Sequence, residues 1–444
     1  MGKKLLLVVA ALLVAAFVLW IAGVIVTPDP EPVQVAASYR HPVLRLEVTP
    51  AAAAENLEIQ IRPQRPGAGV APPRWQEQRT AGCIVITLEE WQGEQDYLLT
   101  AVMPAHPAFA MAEPFAWAFQ APPDYAFDLV AVGDVMLGRL TAAMVPDYDV
   151  GYPLARIREV LEAGDLVFAN LECPISDRGE PAAKKYVFRA RPEAAAVLAL
   201  GGFNLVSLAN NHVLDYGPLA LLDTMAALEE LDIAWAGAGA DEAQARQGAL
   251  LTVKGVRVGV LAYTLPAPGR LYPAWAAGEG KAGTLYYRDQ DKMLADLARM
   301  RAQADVVIVS MHWGYEYTHG VNAEQKKLGR LLVDNGADLV LGHHPHAPQG
   351  IEFYRGKPIV YSLGNFLFYP FSMDITDESF ILKARIGLEG VEEMRLLPVL
   401  LGDSQPFVPE GAELERLQGV LGKLLDQFGT GYAVEGAELV LSMP

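Results

Sequence analysis

DLVLGHHPHAPQG, residues 338–350, places three of the chain's eight histidines, His343, His344 and His346, within four positions. They follow directly on an apolar run, residues 339–341, whose composition predicts a buried strand. Each imidazole carries two polar nitrogens that need partners, so a crowd of them at the mouth of a core implies a use.

Working outward, the same arrangement recurs. DLVAVGD ends in Asp134, DLVFANLE in Asn170 and Glu172, and FNLVSLANNH in Asn210, Asn211 and His212. VVIVSMHWGYEY adds His312 and Glu316. Amphipathic stretches separate these runs, near residues 153–163, 192–200, 218–231, 291–302 and 323–335. Alternation of short apolar strands with helices predicts an α/β domain on largely parallel strands. Hairpin-like pairs, ALLTVKGVRVGVLAY and GIEFYRGKPIVYSLGNF, add antiparallel strands. Ligands of open α/β sheets bind beyond the carboxyl ends of the strands, so five strands are expected to deliver acids, amides and imidazoles to one edge of one sheet.

Each residue has a bland alternative. Asp134 alone would be a turn or a helix cap, and Asn210-Asn211 a turn that tolerates left-handed backbone. His312 alone would be a hydrogen-bonded core histidine, and Glu316 a solvated acid. Five such residues at one topological place outweigh those alternatives. Mixed Asp, Glu, Asn and His without a thiolate cluster points to a catalytic divalent-metal site rather than a structural zinc. Two ions roughly 3.5–4 Å apart would stabilise the charge that develops in hydrolysis. His212, beside a candidate ligand amide, is placed to protonate a leaving group.

The bulk numbers agree. At 444 residues the chain is too long for one ordinary core, and 52% hydrophobic with 20% charged residues is globular. A formal net charge of −18 with no basic run argues against nucleic acid as a partner. An anionic substrate would then need a local positive centre, which bound cations supply. Of the two cysteines, Cys83 and Cys173, the second is expected to be a small buried residue.

MGKK precedes an uncharged apolar span, residues 5–26, long enough to cross a bilayer as a helix. Lys3 and Lys4 would hold its start in the cytoplasm and place the rest outside. Its length favours an uncleaved anchor, with cleavage after Val35-Ala36-Ala37 as the alternative. The expected domains are an anchor over residues 1–30, a small all-β immunoglobulin-like domain over 38–122, the α/β domain over 126–405, and a C-terminal helix and strand over 406–444. The β domain lacks reactive clusters, which suits a spacer.

Six motifs taken in order, GDVMLGR, NLE, LANNHVLDYG, MHWGYEY, GHHPH and YSLGNF, resemble the CapA poly-γ-glutamate synthesis proteins of the metallophosphoesterase-like superfamily. The resemblance covers roughly residues 127–370 and extends on to 402, with the β domain and the C-terminal tail outside it. It implies a metallophosphoesterase-like α/β sandwich that holds one or two divalent ions (Mn, Zn, Fe or Mg). Asp134, Glu172, Asn211, His312, His344 and His346 would be the ligands, with His343 an alternative because the usual G-H-x-H ending is drawn out here. His212 would be the general acid, working with Asp134 at the catalytic centre. Arg139 and Arg189 are similar to basic positions that bind a substrate carboxylate, for which a guanidinium fork is suited; a loop salt bridge is the equal alternative for Arg189.

One departure stands out: the superfamily's D-x-H has Met136 in place of histidine, a change that CapA-like proteins share. It puts a standard two-metal phosphatase centre, and a phosphate ester as substrate, in doubt. The expected function is a membrane-anchored extracytoplasmic hydrolase or transferase on poly-γ-glutamate or a related anionic polymer. The alternatives are a polymer-binding component of a synthesis and export complex, with membrane synthase subunits as partners, and a phosphoesterase.

Overall fold

The computed structural model describes residues 125–138, 150–265, 272–368, 374–402 and 405–444, together with strand segments between residues 31 and 120. The chain divides into two units, Met1–Asp124 and Tyr125–Pro444. The anchor span, residues 5–26, and Arg139 lie outside the described residues. Among the described residues no helix is long and apolar enough to cross a membrane.

In the first unit every described element is a strand. Gln34–Arg40, Val43–Thr49, Cys83–Glu90 and Arg74–Thr80 pair in that order in one antiparallel sheet. Asp96–Val102 pairs antiparallel with Glu58–Pro63 on one side and Phe115–Gln120 on the other.

The second unit lays down two sheets in turn. Its chain first forms β1 (Ala126–Val135), β2 (Leu166–Leu171), β3 (Leu205–Ser207) and β4 (Ala234–Ala236), all parallel neighbours. It then builds a second sheet from β5 (Ala249–Val253), β6 (Val256–Thr264), β7 (Val306–His312), β8 (Leu339–His343), β9 (Ile351–Tyr354) and β10 (Lys357–Val360). There β6, β7, β8 and β10 run parallel, while β5 and β9 are antiparallel edge strands. Finally β11 (Asn365–Leu367), β12 (Glu378–Gly387) and β13 (Gly390–Gly402) return to the first sheet beside β1. The C-terminal strand Glu438–Leu441 pairs with β13, so the last residues complete this sheet.

Alternation along the strands explains the layering. On β7, Val306 and Ile308 face a core shared with Leu129, Phe168 and Phe380 of the first sheet, whereas Val307 and Val309 face Leu297, Met300 and Leu332 of the outer helices. On β2, Leu166 and Phe168 face inward, and Val167, Ala169 and Leu171 pack against Leu161, Leu198 and Leu221. Strands buried on both faces read as continuous apolar runs, which is why these lacked a polar phase in the sequence. The result is a four-layer stack, helix–sheet–sheet–helix. Helices start where the sequence provides caps: Asn322 and Gln325 form a reciprocal capping box before Ala323–Asp334, and Asp289 accepts from the Lys292 N–H before Gln290–Arg301.

Two sheets replace the single sheet expected from the strand–helix alternation. Asp134 lies near the end of β1 and Glu172 follows β2 in one sheet, while His312 and His343 end strands of the other. The fold is mixed α/β, as expected.

A bulge in β1 aims Asp134. Ala131 pairs with Phe168 and Asp134 with Asn170, so β1 carries one residue more than β2 across this step. Counted by strict alternation, Asp134 would share the outward face of Val130 and Val132; the extra residue turns it to the inner face with Phe168 and Asn170. Gly133 makes the bulge possible, because a Cβ there would stand 2.0 Å from the Gly364 carbonyl oxygen. That same carbonyl accepts the Asp134 N–H at 3.0 Å. Gly133→Ala is therefore expected to destabilise the second unit by about 3 kcal/mol or to prevent its folding. Denaturant titration followed by tryptophan fluorescence measures this, and an unchanged midpoint would remove the bulge from its role.

Candidate metal centre

At the carboxyl ends of both sheets the inner faces change from apolar to polar. Asp134, Asn170, Glu172, His312, His343, His344 and His346 are all buried there. The Asn170 amide ties the acids together: its Nδ2 lies 2.8 Å from Asp134 Oδ1 and 3.3 Å from Glu172 Oε2. Asn210 orients Asn170 in turn, donating to its Oδ1 at 3.1 Å, and uses its own Oδ1 to accept the His212 and Val213 N–H groups.

The histidines close the space from the other sheet. His312 Nε2 lies 2.8 Å from Asn211 Oδ1 and 3.7 Å from Glu172 Oε1. His346 spans the acids, with Nδ1 3.2 Å from Asp134 Oδ2 and Nε2 3.8 Å from Glu172 Oε1. The His312 and His344 rings sit 4.7 Å apart. His344 and His346 hold left-handed backbone, φ 96° and 54°, a strained conformation for a residue with a side chain. The His344 N–H donates to Asp134 Oδ2 at 3.3 Å.

Burial and crowding drive the protonation states apart. Burial pushes the Asp134 carboxyl up, but the imidazoles of His343 and His346 outweigh it and hold Asp134 well below the usual carboxylate range. Burial, and then the charge of Asp134, raise Glu172 well above it. Burial and the neighbouring His344 push His312 well below an ordinary imidazole, and burial with His346 brings His344 down to about 3. His346 goes the other way, since its contact with Asp134 outweighs burial.

This donor set fits a divalent cation. Glu172 Oε1, His344 Nδ1 and both ring nitrogens of His343 are buried without a hydrogen-bond partner, a costly state for polar atoms unless something else coordinates them. Three overlapping groups bring ligand atoms within 4.8 Å of one another: Glu172, His312 and His344; Asp134, Glu172 and His346; Glu316, His344 and His346. Carboxylate and imidazole donors suit Zn, Mn or Fe. His343 enters none of these groups; it lies 3.5 Å from Asp134 Oδ1 with its ring against Phe168.

Beside this centre His212 belongs to a second constellation. Its Nδ1 lies 2.7 Å from Asp215 Oδ2 and 3.1 Å from Lys184 Nζ. Lys184 also pairs with Asp215 and donates to the Asn211 carbonyl at 2.7 Å. Burial lowers both His212 and Lys184, opposed in each case by Asp215. The Phe188 ring packs 4.6 Å from His212.

Arg189 does not join either group. Its guanidinium lies 4.1 Å above the Tyr216 ring and donates to the Arg178 carbonyl. Cys173 is buried, and burial pushes its thiol up to about 12.

Sequence inspection missed Lys184, Asp215 and Asn365. Asp215 stands three residues after His212 within LANNHVLDYG, which is a usable signal. Asn365, inside YSLGNF, places its Oδ1 2.9 Å from His346 Nδ1 and donates to the Thr376 carbonyl, fixing that ring. Nothing in the spacing of Lys184 announced it.

Convergent buried acids, amides and imidazoles at the carboxyl ends of two sheets define a protein equipped to hold divalent metal. Residues 128–370 match the family described as bacterial capsule synthesis protein PGA_cap, and the chain belongs to that family. The capsule biosynthesis protein CapA of Bacillus anthracis is 30% identical over 290 residues, covering 63% of this chain and 68% of that one. The PGA biosynthesis protein CapA of Bacillus subtilis is 28% identical over 346 residues, 76% of this chain and 89% of that one. A probable polyglutamine synthesis accessory protein of Mycobacterium tuberculosis is 35% identical over 245 residues, 53% of this chain and 64% of that one.

Two outcomes follow from this geometry. Asn365→Ala frees the His346 ring and is expected to weaken zinc binding about 10–100-fold, read by competition with a chelating dye; unchanged affinity would exclude Asn365 from the support of the centre. Without a cation, Glu172 and His346 hold protons to higher pH than usual, while His312 and His344 are already deprotonated at neutral pH. A cation must displace the first two, so binding should release protons and tighten as pH rises. Calorimetry in buffers of different ionisation enthalpy measures this, and zero release would contradict it.

Proposed function

We propose that this is a CapA-type protein of poly-γ-glutamate capsule synthesis whose metallophosphoesterase-like domain acts as a metal-dependent hydrolase or transferase on that polymer. The observation that carries the proposal is the adjacency of two constellations: the buried acid–imidazole centre, and the His212–Asp215 pair joined to it through Asn211. A divalent cation held by Asp134, Glu172, Asn211, His312, His344 and His346 would polarise a γ-glutamyl carbonyl and stabilise its developing negative charge.

The chain's own residues supply the rest. Asp215 engages His212 Nδ1, so Nε2 is the ring atom that exchanges a proton with the departing amine. Lys184 anchors Asp215 and the Asn211 carbonyl together, keeping the imidazole in register with the centre. Phe188 shields one side of the ring from water. A net charge of −18 makes a cation the natural counter-charge for a polyanionic substrate.

The β strands of the first unit are assigned the role of a spacer, and residues 5–26 that of a membrane anchor, with those strands and the second unit outside the cell. Partner synthase subunits in the membrane fit this placement.

Met136 supports a second reading. It is fully buried in the apolar cluster outside the first sheet, so no ligand reaches the centre from that position. An incomplete centre suits a retained, non-catalytic site that binds nascent polymer within a synthesis and export complex.

Full-length protein in detergent, loaded with Zn or Mn and incubated with poly-γ-glutamate, separates these readings. The hydrolase predicts shortened polymer by light scattering, and a loss of about 100-fold or more in His212→Ala with bound metal retained. Intact polymer with chelator-sensitive binding moves the assignment to the non-catalytic role. Intact polymer whose binding survives chelation would overturn both.

A further inference from the structure

Glu316 lies outside the ligand set drawn from the sequence, where a solvated acid was its plain alternative. It is exposed, yet its carboxylate comes within 4.8 Å of ligand atoms of both His344 and His346. Those two histidines belong to different inner groups, His344 with Glu172 and His312, His346 with Asp134 and Glu172. Glu316 therefore straddles the two inner groups from the solvent side, as Glu172 straddles them from the buried side.

Its loop is fixed at both ends to the histidine segment. The Trp313 N–H donates to the His343 carbonyl at 3.0 Å, and the Tyr317 N–H to the Pro345 carbonyl at 2.7 Å. Gly314 turns the chain at φ 89°, and Tyr317 completes the bend at φ 59° with its ring stacked 5.9 Å from His346. A merely solvated side chain needs none of this. Below it, His344 Nδ1 and Glu172 Oε1 are buried without hydrogen-bond partners. Every other residue of the three groups is buried, which leaves Glu316 as their solvent-facing member.

We infer that Glu316 is the solvent-side ligand of the cation centre and controls exchange of the ion with the medium. This rests on the proposed metal-binding function and adds to it a residue and a role.

The test uses full-length protein loaded with zinc and then challenged with excess chelator, with release followed by a zinc-responsive dye. Glu316→Gln, which keeps the shape and removes the charge, is expected to release zinc about tenfold faster or more. Glu316→Asp should fall between the two. The metal-free melting temperature should stay at the wild-type value, because the side chain is exposed. Equal release rates and affinities in wild type and Glu316→Gln would overturn this inference while leaving the proposed function standing. Wild type that takes up no zinc would overturn both.

Discussion

Two carboxylates and four imidazoles share a buried space, and this crowding governs the second unit. Removing a charge from water costs several kcal/mol unless partners compensate it. Here the compensation is incomplete: Asn170 reaches both acids, yet Glu172 Oε1 keeps no hydrogen bond and His343 keeps none at either nitrogen. The surrounding protein holds the cluster together nonetheless, through Asn210 behind Asn170, Asn365 behind His346 and a glycine-dependent bulge behind Asp134. Such supports are what a preorganised site requires.

The arrangement of the two sheets follows from the same need. Parallel strands end their apolar inner faces at one rim, so a polar residue two positions beyond the last core residue enters that rim from whichever sheet carries it. Phe168, Asn170 and Glu172 make this progression on β2, as Leu341 and His343 do on β8. Facing sheets let acids and amides arrive from one side and imidazoles from the other, a pairing that neighbours within one sheet would have to make sideways.

Much of this was legible in the sequence because polar residues after an apolar run are conspicuous. The strand ends at Asp134, Glu172, Asn211, His312 and His344 could be marked from residue type alone, and the structure brings them together. The sheet to which each strand belongs could not: a strand buried on both faces is apolar throughout, and Val307 and Ile308 look alike although they face different cores. The direction of Asp134 was hidden too, since counting by twos places it on the wrong face and only Gly133 hints at the extra residue. Lys184 was invisible for another reason. It lies on a loop without periodicity, and its importance comes from meeting Asp215 and His212 across the fold.

His344 and His346 sit in backbone conformations that side chains resist, on either side of Pro345. A growing chain has no reason to hold that shape. The ring of His346 is steadied by Asn365, and Asn365 is itself placed by pairing of β11 with β1, more than two hundred residues earlier. The pocket is thus a late product of synthesis. When His346, the last of the proposed ligands, has been translated, Asn365 that steadies its ring and the strand that seats Asn365 beside β1 are still to come.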